Sequence, residues 1–171
     1  FTDCLLKRGA KKVYAVDVGE DLLNPSLRSD GRVKAIENFN ARYISEETLG
    51  EKVDGAVVDC SFISLKIILP PLRAVIKESG FIIALIKPQF ECGKKNKLGK
   101  SGILRDDREI ENIVLDLAEY ASSLKLVATD IVNAPAYKDK NKEFLIKLSF
   151  CGRKITCREI KNAIDKAKEE I

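Results

Sequence analysis

Histidine, methionine and tryptophan do not occur in this chain of 171 residues. Without an imidazole there is no Ser-His-Asp or Cys-His couple, and no histidine to serve as general base or metal ligand. Any chemistry must run on Lys, Asp, Glu, Ser, Cys or Tyr. Proline (5) and glycine (10) are few, which argues against a fibrous or disordered chain. Long apolar runs are missing as well. The longest, such as residues 81–86, fall far short of the about 18 residues a membrane helix needs. No signal-peptide pattern is legible either, so the expected setting is the cytoplasm, with no membrane partner. The chain opens at Phe1, not at Met, which reads as processing or as a cut from something longer.

What is present is the composition of a globular protein: 45% hydrophobic and 33% charged residues. That is enough for one domain with a real core, expected over residues 1–171. Thirty basic against 26 acidic residues leave a net charge of +4, compatible with a polyanionic partner but no evidence for one. Five cysteines are scattered, and the only close pair, Cys151 and Cys157, is too widely spaced for a zinc knuckle. Reduced thiols and no metal site are the expectation.

Three short apolar runs, residues 12–16, 55–58 and 81–86, read as buried strands, with 33–36 as a weaker fourth. Apolar nearly throughout, they suit strands covered on both faces of a mostly parallel sheet. Helices are expected at 2–8, stopped by Gly9, and at 64–76, kinked or broken at Pro70 and Pro71. The clearest helix spans 106–124, with Ile110, Ile113, Val114, Leu117, Ala118, Ala121 and Leu124 on one stripe and Asp106 or Asp107 as cap. Segments 126–132 and 144–150 would pair as an antiparallel hairpin. A last helix opens with the Thr156/Glu159 capping box. The alternation is that of one α/β domain, closed by a hairpin.

In such sheets ligands sit at the carboxyl ends of the strands, so the residues just after each run hold the interest. Asp17 follows the first and could accept hydrogen bonds from a nucleotide ribose, or simply cap a turn. Asp59 follows 55–58, with Ser61 or Ser64 available to cap the next helix. Lys87 directly abuts 81–86; it is either partly desolvated there or snorkels out. Glu143 opens the strand at 144. One lysine and two carboxylates at adjacent strand ends suit deprotonation of a hydroxyl, with Lys87 holding the incipient oxyanion. Two basic clusters, Lys94, Lys95, Lys97 and Lys100, then Lys138, Lys140 and Lys142, could meet phosphates or be merely solvated.

Taken together, FTDCLLKRGAKKVYAVDVG, VVDCSFISL, ALIKPQFE, KSGILRD and KEFLIKL resemble the haemolysin-A (TlyA) family of FtsJ-like, S-adenosylmethionine-dependent ribose methyltransferases, over roughly residues 1–150. The resemblance implies a Rossmann-like class I methyltransferase domain that methylates cytidine ribose 2′-hydroxyls of ribosomal RNA, with ribosomal RNA or ribosomal subunits as partners. From the family's Lys-Asp-Lys-Glu set it implies Asp59, Lys87 and Glu143 as catalytic. On the cofactor side it implies Asp17, Val18, Asn40 and Asp59, with Asp17 on the ribose and Asn40 near the adenine.

The departures concern what the family carries before its Phe-Thr-Asp segment: a strand, a glycine-rich cofactor loop, the first catalytic lysine and a small RNA-binding domain. The resemblance therefore implies a sheet lacking its N-terminal strand and a weakly active or inactive fragment. The stretch 134–142 also lacks an expected glycine. The alternatives are a non-catalytic RNA-binding or ribosome-associated module, a pore-forming haemolysin and a nicotinamide-dependent enzyme. The haemolysin has no membrane-surface helix to support it, and the nicotinamide-dependent enzyme has no glycine fingerprint.

Overall fold

Strand pairing in this chain is local and parallel early on, and long-range and mixed later. The computed structural model describes residues 1–93, 102–135 and 139–169. These fall into two compact units, Phe1–Lys52 and Val53–Ile171.

In the first unit, α1 (Thr2–Lys7) leads into β1 (Val13–Val16), and α2 (Pro25–Arg28) into β2 (Val33–Ile36). β1 and β2 pair in parallel, from Val13 opposite Val33 to Val16 opposite Ile36. A 3-10 turn at Ala41–Tyr43 and the short α3 (Glu46–Leu49) complete the unit. Its core is small, built on Leu6, Val13, Ile44 and Leu49. Tyr14 ties the strand to the unit's end by donating to the Leu49 carbonyl at 2.8 Å and to Glu51 at 2.8 Å.

The second unit runs β3 (Val53–Val58), α4 (Leu65–Val75), β4 (Ile76–Ile86), α5 (Pro88–Glu91), α6 (Asp107–Ser123), β5 (Val127–Asn133), β6 (Phe144–Ser149) and α7 (Cys157–Glu169). Its sheet order is β3-β4-β6-β5. β3 and β4 are parallel, while β6 is antiparallel to both β4 and β5. Three strands thus share one direction and β6 alone is reversed. The chain is α/β with a mostly parallel strand direction and a C-terminal antiparallel hairpin, as expected of a Rossmann-like methyltransferase fold.

Helix ends follow their local chemistry. Asp106 caps α6 by accepting from the Arg108 and Glu109 N–H groups, and Thr156 and Glu159 form the reciprocal capping box of α7. The helix α6 buries the expected stripe from Ile110 to Ala121. Two expectations need correction. Pro70 and Pro71 do not break α4, which continues through both. Each removes a donor, to the carbonyls of Lys66 and Ile67. Nor is the sheet sealed on both faces. Ile82, Ala84 and Ile86 of β4, with Phe144, Ile146 and Leu148 of β6, are fully buried, whereas alternate β4 residues are half-buried.

Strand β4 also begins earlier than its apolar run. Its first residue, Ile76, pairs with Val53, and the register then slips so that Gly55 meets Phe81. The Phe81 ring covers Gly55, and a Cβ on Gly80 would come 2.6 Å from the Asp54 carbonyl oxygen. The slip requires that close approach.

Candidate active site

The ends of β3 and β4 lie side by side, Val58 opposite Ala84, so the residues that follow emerge at one edge of the sheet. Lys87 comes directly after Ile86, which is 0% exposed. Its aliphatic stem is drawn in with the strand, and only 14% of its side chain reaches solvent. The ammonium meets the Asp59 carboxylate at 2.7 Å and donates to Ser61 Oγ at 2.9 Å. Asp59 stays half-exposed. Lys87 is therefore largely buried along its length, with its ammonium directed at Asp59 and Ser61. The two serines divide the work. Ser64 caps α4 by accepting from the Lys66 N–H, while Ser61 serves Lys87.

Glu143 arrives from the far end of the chain. Because β6 is reversed, its first residue, Phe144, faces Ile86, the last of β4. Their neighbours Glu143 and Lys87 thereby reach the same edge. Glu143 is held by Gln89, whose Nε2 donates to Glu143 Oε1 at 3.1 Å. The approach to Glu143 is pinned by Asn141, which accepts from the Leu104 N–H at 2.8 Å and donates to the Gly102 carbonyl at 3.2 Å. Lys142, 13% exposed, is committed to Asp107 at 2.6 Å, which corrects its reading as a phosphate contact. Lys140 is exposed. Lys94, Lys95, Lys97, Lys100 and Lys138 lie outside the described residues.

The short helix α5, opened by Pro88, sends three consecutive side chains to three partners. Gln89 reaches Glu143. The Phe90 ring packs on Phe62 with centroids 4.8 Å apart. Glu91 accepts from Ser64 Oγ at 2.5 Å and from the Leu65 N–H at 2.7 Å, bridging the Lys87 turn to the loop carrying Asp59. Burial pushes the Glu91 carboxyl above its ordinary value, against the pull of the Leu65 and Ser64 hydrogen bonds. Phe62 itself is exposed and has φ +61°, a conformation a bulky side chain rarely adopts. Sequence reading missed Gln89 and Glu91, although both stand inside the ALIKPQFE motif.

The expected cofactor residues of the first unit gather at the carboxyl ends of β1 and β2. The Asp17 carbonyl accepts from the Phe39 N–H, and the Gly19 carbonyl from the Asn38 N–H. The Asp17 carboxylate is exposed, and one oxygen accepts from the Gly19 N–H at 2.8 Å. The turn cap weighed against a ribose contact is thus realised, yet a carboxylate keeps further acceptor sites. Val18 is 65% exposed beside it. Asn40 commits its amide oxygen to the Arg42 backbone and guanidinium, leaving its N–H groups as the part able to meet a base. This donor set, an outward carboxylate with an apolar side chain and an amide close by, fits a nucleoside.

None of the five cysteines forms a disulfide. Among the described residues no cluster of three or more Cys, Asp or Glu could hold a metal ion, and no helix is long and apolar enough to cross a membrane.

Comparisons with known proteins point the same way. A relative named Hemolysin A, from Brachyspira hyodysenteriae, is 47% identical over 115 residues, covering 67% of this chain and 48% of its own length. A Mycobacterium tuberculosis relative named 16S/23S rRNA (cytidine-2′-O)-methyltransferase TlyA is 36% identical over 172 residues, covering 99% of this chain and 64% of its own. A solved structure from Streptococcus thermophilus, provisionally named a hemolysin, superposes with a TM-score of 0.91 at 34% identity. It covers 99% of this chain and 62% of its own. The chain thus spans about half to two-thirds of the length of these relatives. The family profile of FtsJ-like methyltransferases matches residues 1–150, taking in every strand of both sheets and each strand-end residue described above: the chain belongs to the FtsJ-like methyltransferase family.

Proposed function

We propose that the protein acts in the cytoplasm on ribosomal RNA, transferring a methyl group from S-adenosylmethionine to a cytidine ribose 2′-hydroxyl. The observation that carries this reading is the largely buried Lys87 side chain, its ammonium held 2.7 Å from Asp59 at the strand ends where Glu143 also emerges. The names of the relatives support the substrate class, one of them being a 16S/23S rRNA (cytidine-2′-O)-methyltransferase.

When bound, the cofactor supplies a methyl group on a sulfonium, which needs no further activation. What remains is to orient a ribose hydroxyl and to ease away its proton. Lys87 holds the 2′-oxygen as negative charge develops on it, in surroundings where that charge interaction is strong. Asp59 and Ser61 fix the direction of the ammonium. Glu143 takes up or relays the proton. Asp17 would hold the cofactor's ribose hydroxyls with the carboxylate oxygen not tied to Gly19. Val18 and the Asn40 amide would lie along the adenine.

Two measurements test this on the protein extended to the full length of its relatives, of which this chain spans about half to two-thirds. Calorimetry should show S-adenosylhomocysteine binding, and labelled S-adenosylmethionine should yield 2′-O-methylcytidine in ribosomal RNA. Lys87→Ala should retain S-adenosylhomocysteine and lose transfer. Transfer that survives Lys87→Ala, or RNA retention without cofactor binding, would replace the reading with a non-catalytic RNA-binding module.

A further inference from the structure

The side chain of Gln89 is awkward for folding. Its Oε1 is buried and has no hydrogen-bond partner. A buried acceptor without a donor costs roughly 1–3 kcal/mol, so an apolar side chain of the same length would serve packing better. The other end of the amide does one thing, donating from Nε2 to Glu143 Oε1 at 3.1 Å. The two residues are 54 positions apart in sequence and meet only because β6 runs back alongside β4.

The amide orientation follows from charge. Turned over, Oε1 would face a carboxylate oxygen, acceptor against acceptor. The Glu143 carboxylate accordingly selects the amide orientation seen, and the N–H donor in turn fixes the direction of that carboxylate. The backbone beneath Gln89 is fixed on both sides. The Phe90 N–H donates to the Lys87 carbonyl at 2.8 Å, and Glu91 is anchored to Ser64 and Leu65.

From this geometry, and resting on the methyl-transfer reading above, we propose that Gln89 is a positioning residue that aims the Glu143 carboxylate beside Lys87. It acts through Glu143.

The test compares wild type with Gln89→Leu and Gln89→Glu, each in the protein extended to the full length of its relatives, measuring kcat and KM for ribosomal RNA and S-adenosylhomocysteine affinity. For Gln89→Leu, kcat should fall at least about tenfold, with KM and S-adenosylhomocysteine affinity within twofold of wild type. Gln89→Glu is nearly isosteric but sets a second carboxyl group against Glu143 in place of the N–H donor. It should show the same loss of kcat with KM held, and it carries the test alone should Gln89→Leu fail to fold. A folded variant whose kcat matches wild type, or whose loss lies in KM, overturns the assignment while leaving the methyl-transfer reading intact. Absence of transfer by wild type, by contrast, would strike that reading first and the Gln89 assignment with it.

Discussion

Glu91 closes on Ser64 at 2.5 Å, across the two loops that carry Lys87 and Asp59. The same carboxylate reaches the Leu65 N–H, so one half-buried group spans the start of α4 and the end of α5. Its position is mechanical, and its protonation has a consequence for stability.

Burial makes the Glu91 carboxyl hold its proton more firmly in the fold than at the ordinary value of 4.5. Stability from this group is therefore fully present below 4.5 and is lost as pH rises through the higher folded value. Glu91→Gln keeps an acceptor for Leu65 and a partner for Ser64 without the charge. Its melting temperature should exceed that of wild type by about 2 °C at pH 7, and the two should coincide at pH 4. A variant that melts lower at pH 7 would show that the ionised carboxylate is a net asset there.

Asp59→Asn preserves shape and removes the anion beside Lys87. The carboxylate is half-exposed, so the fold should tolerate the change. Transfer to RNA should drop about a hundredfold, read as initial rates with labelled cofactor. A rate within threefold of wild type would remove Asp59 from the machinery.

Gly80→Ala tests the slip between β3 and β4. The cost arises from contact and not from conformation, because the added Cβ meets backbone oxygen at 2.6 Å, which no rotamer change relieves. A loss of about 1–3 kcal/mol in urea unfolding is expected. No change in the unfolding midpoint would mean that the strands separate there freely.

Glu159 is gripped by two Arg153 N–H groups at 3.0 and 2.6 Å and by the Thr156 N–H at 2.8 Å. Arg153 first, and Thr156 next, hold its carboxyl down at about 2. Stability from this group is present above 4.5 and disappears as pH falls through about 2. Glu159→Gln should melt below wild type at pH 6, and the gap should close between 4.5 and about 2. A gap that persists in acid would assign the effect to packing.

Much of this was legible in the residues. The runs at 12–16, 55–58 and 81–86 could be read because continuous apolar stretches are short-range signals, and Asp59 and Lys87 because they stand directly after two of them. What escaped depends on distance. Residues 77–79, Lys-Glu-Ser, hid the start of β4 behind polar side chains. Gln89 finds its partner 54 positions away and Glu91 its partners 27 and 26 positions away, which no local pattern encodes. Pro70 and Pro71 signal a kink or a break, and the break does not occur because tertiary packing holds the helix: Ile68, Leu69 and Leu72 around them are all buried. The hairpin of β5 and β6 was legible, but the insertion of β6 between β5 and β4 was not.

That insertion sets an order of assembly. During synthesis β5 is made before β6, yet among the described strands β6 is its one sheet partner. As the chain leaves the ribosome, residues 127–133 must wait with unsatisfied edges until 144–149 emerge and slide between them and β4. Glu143 enters with that strand. A nascent chain therefore already carries Asp59 and Lys87 while Glu143, the proton acceptor proposed above, is still unplaced, and the three can share one sheet edge only once β6 has paired.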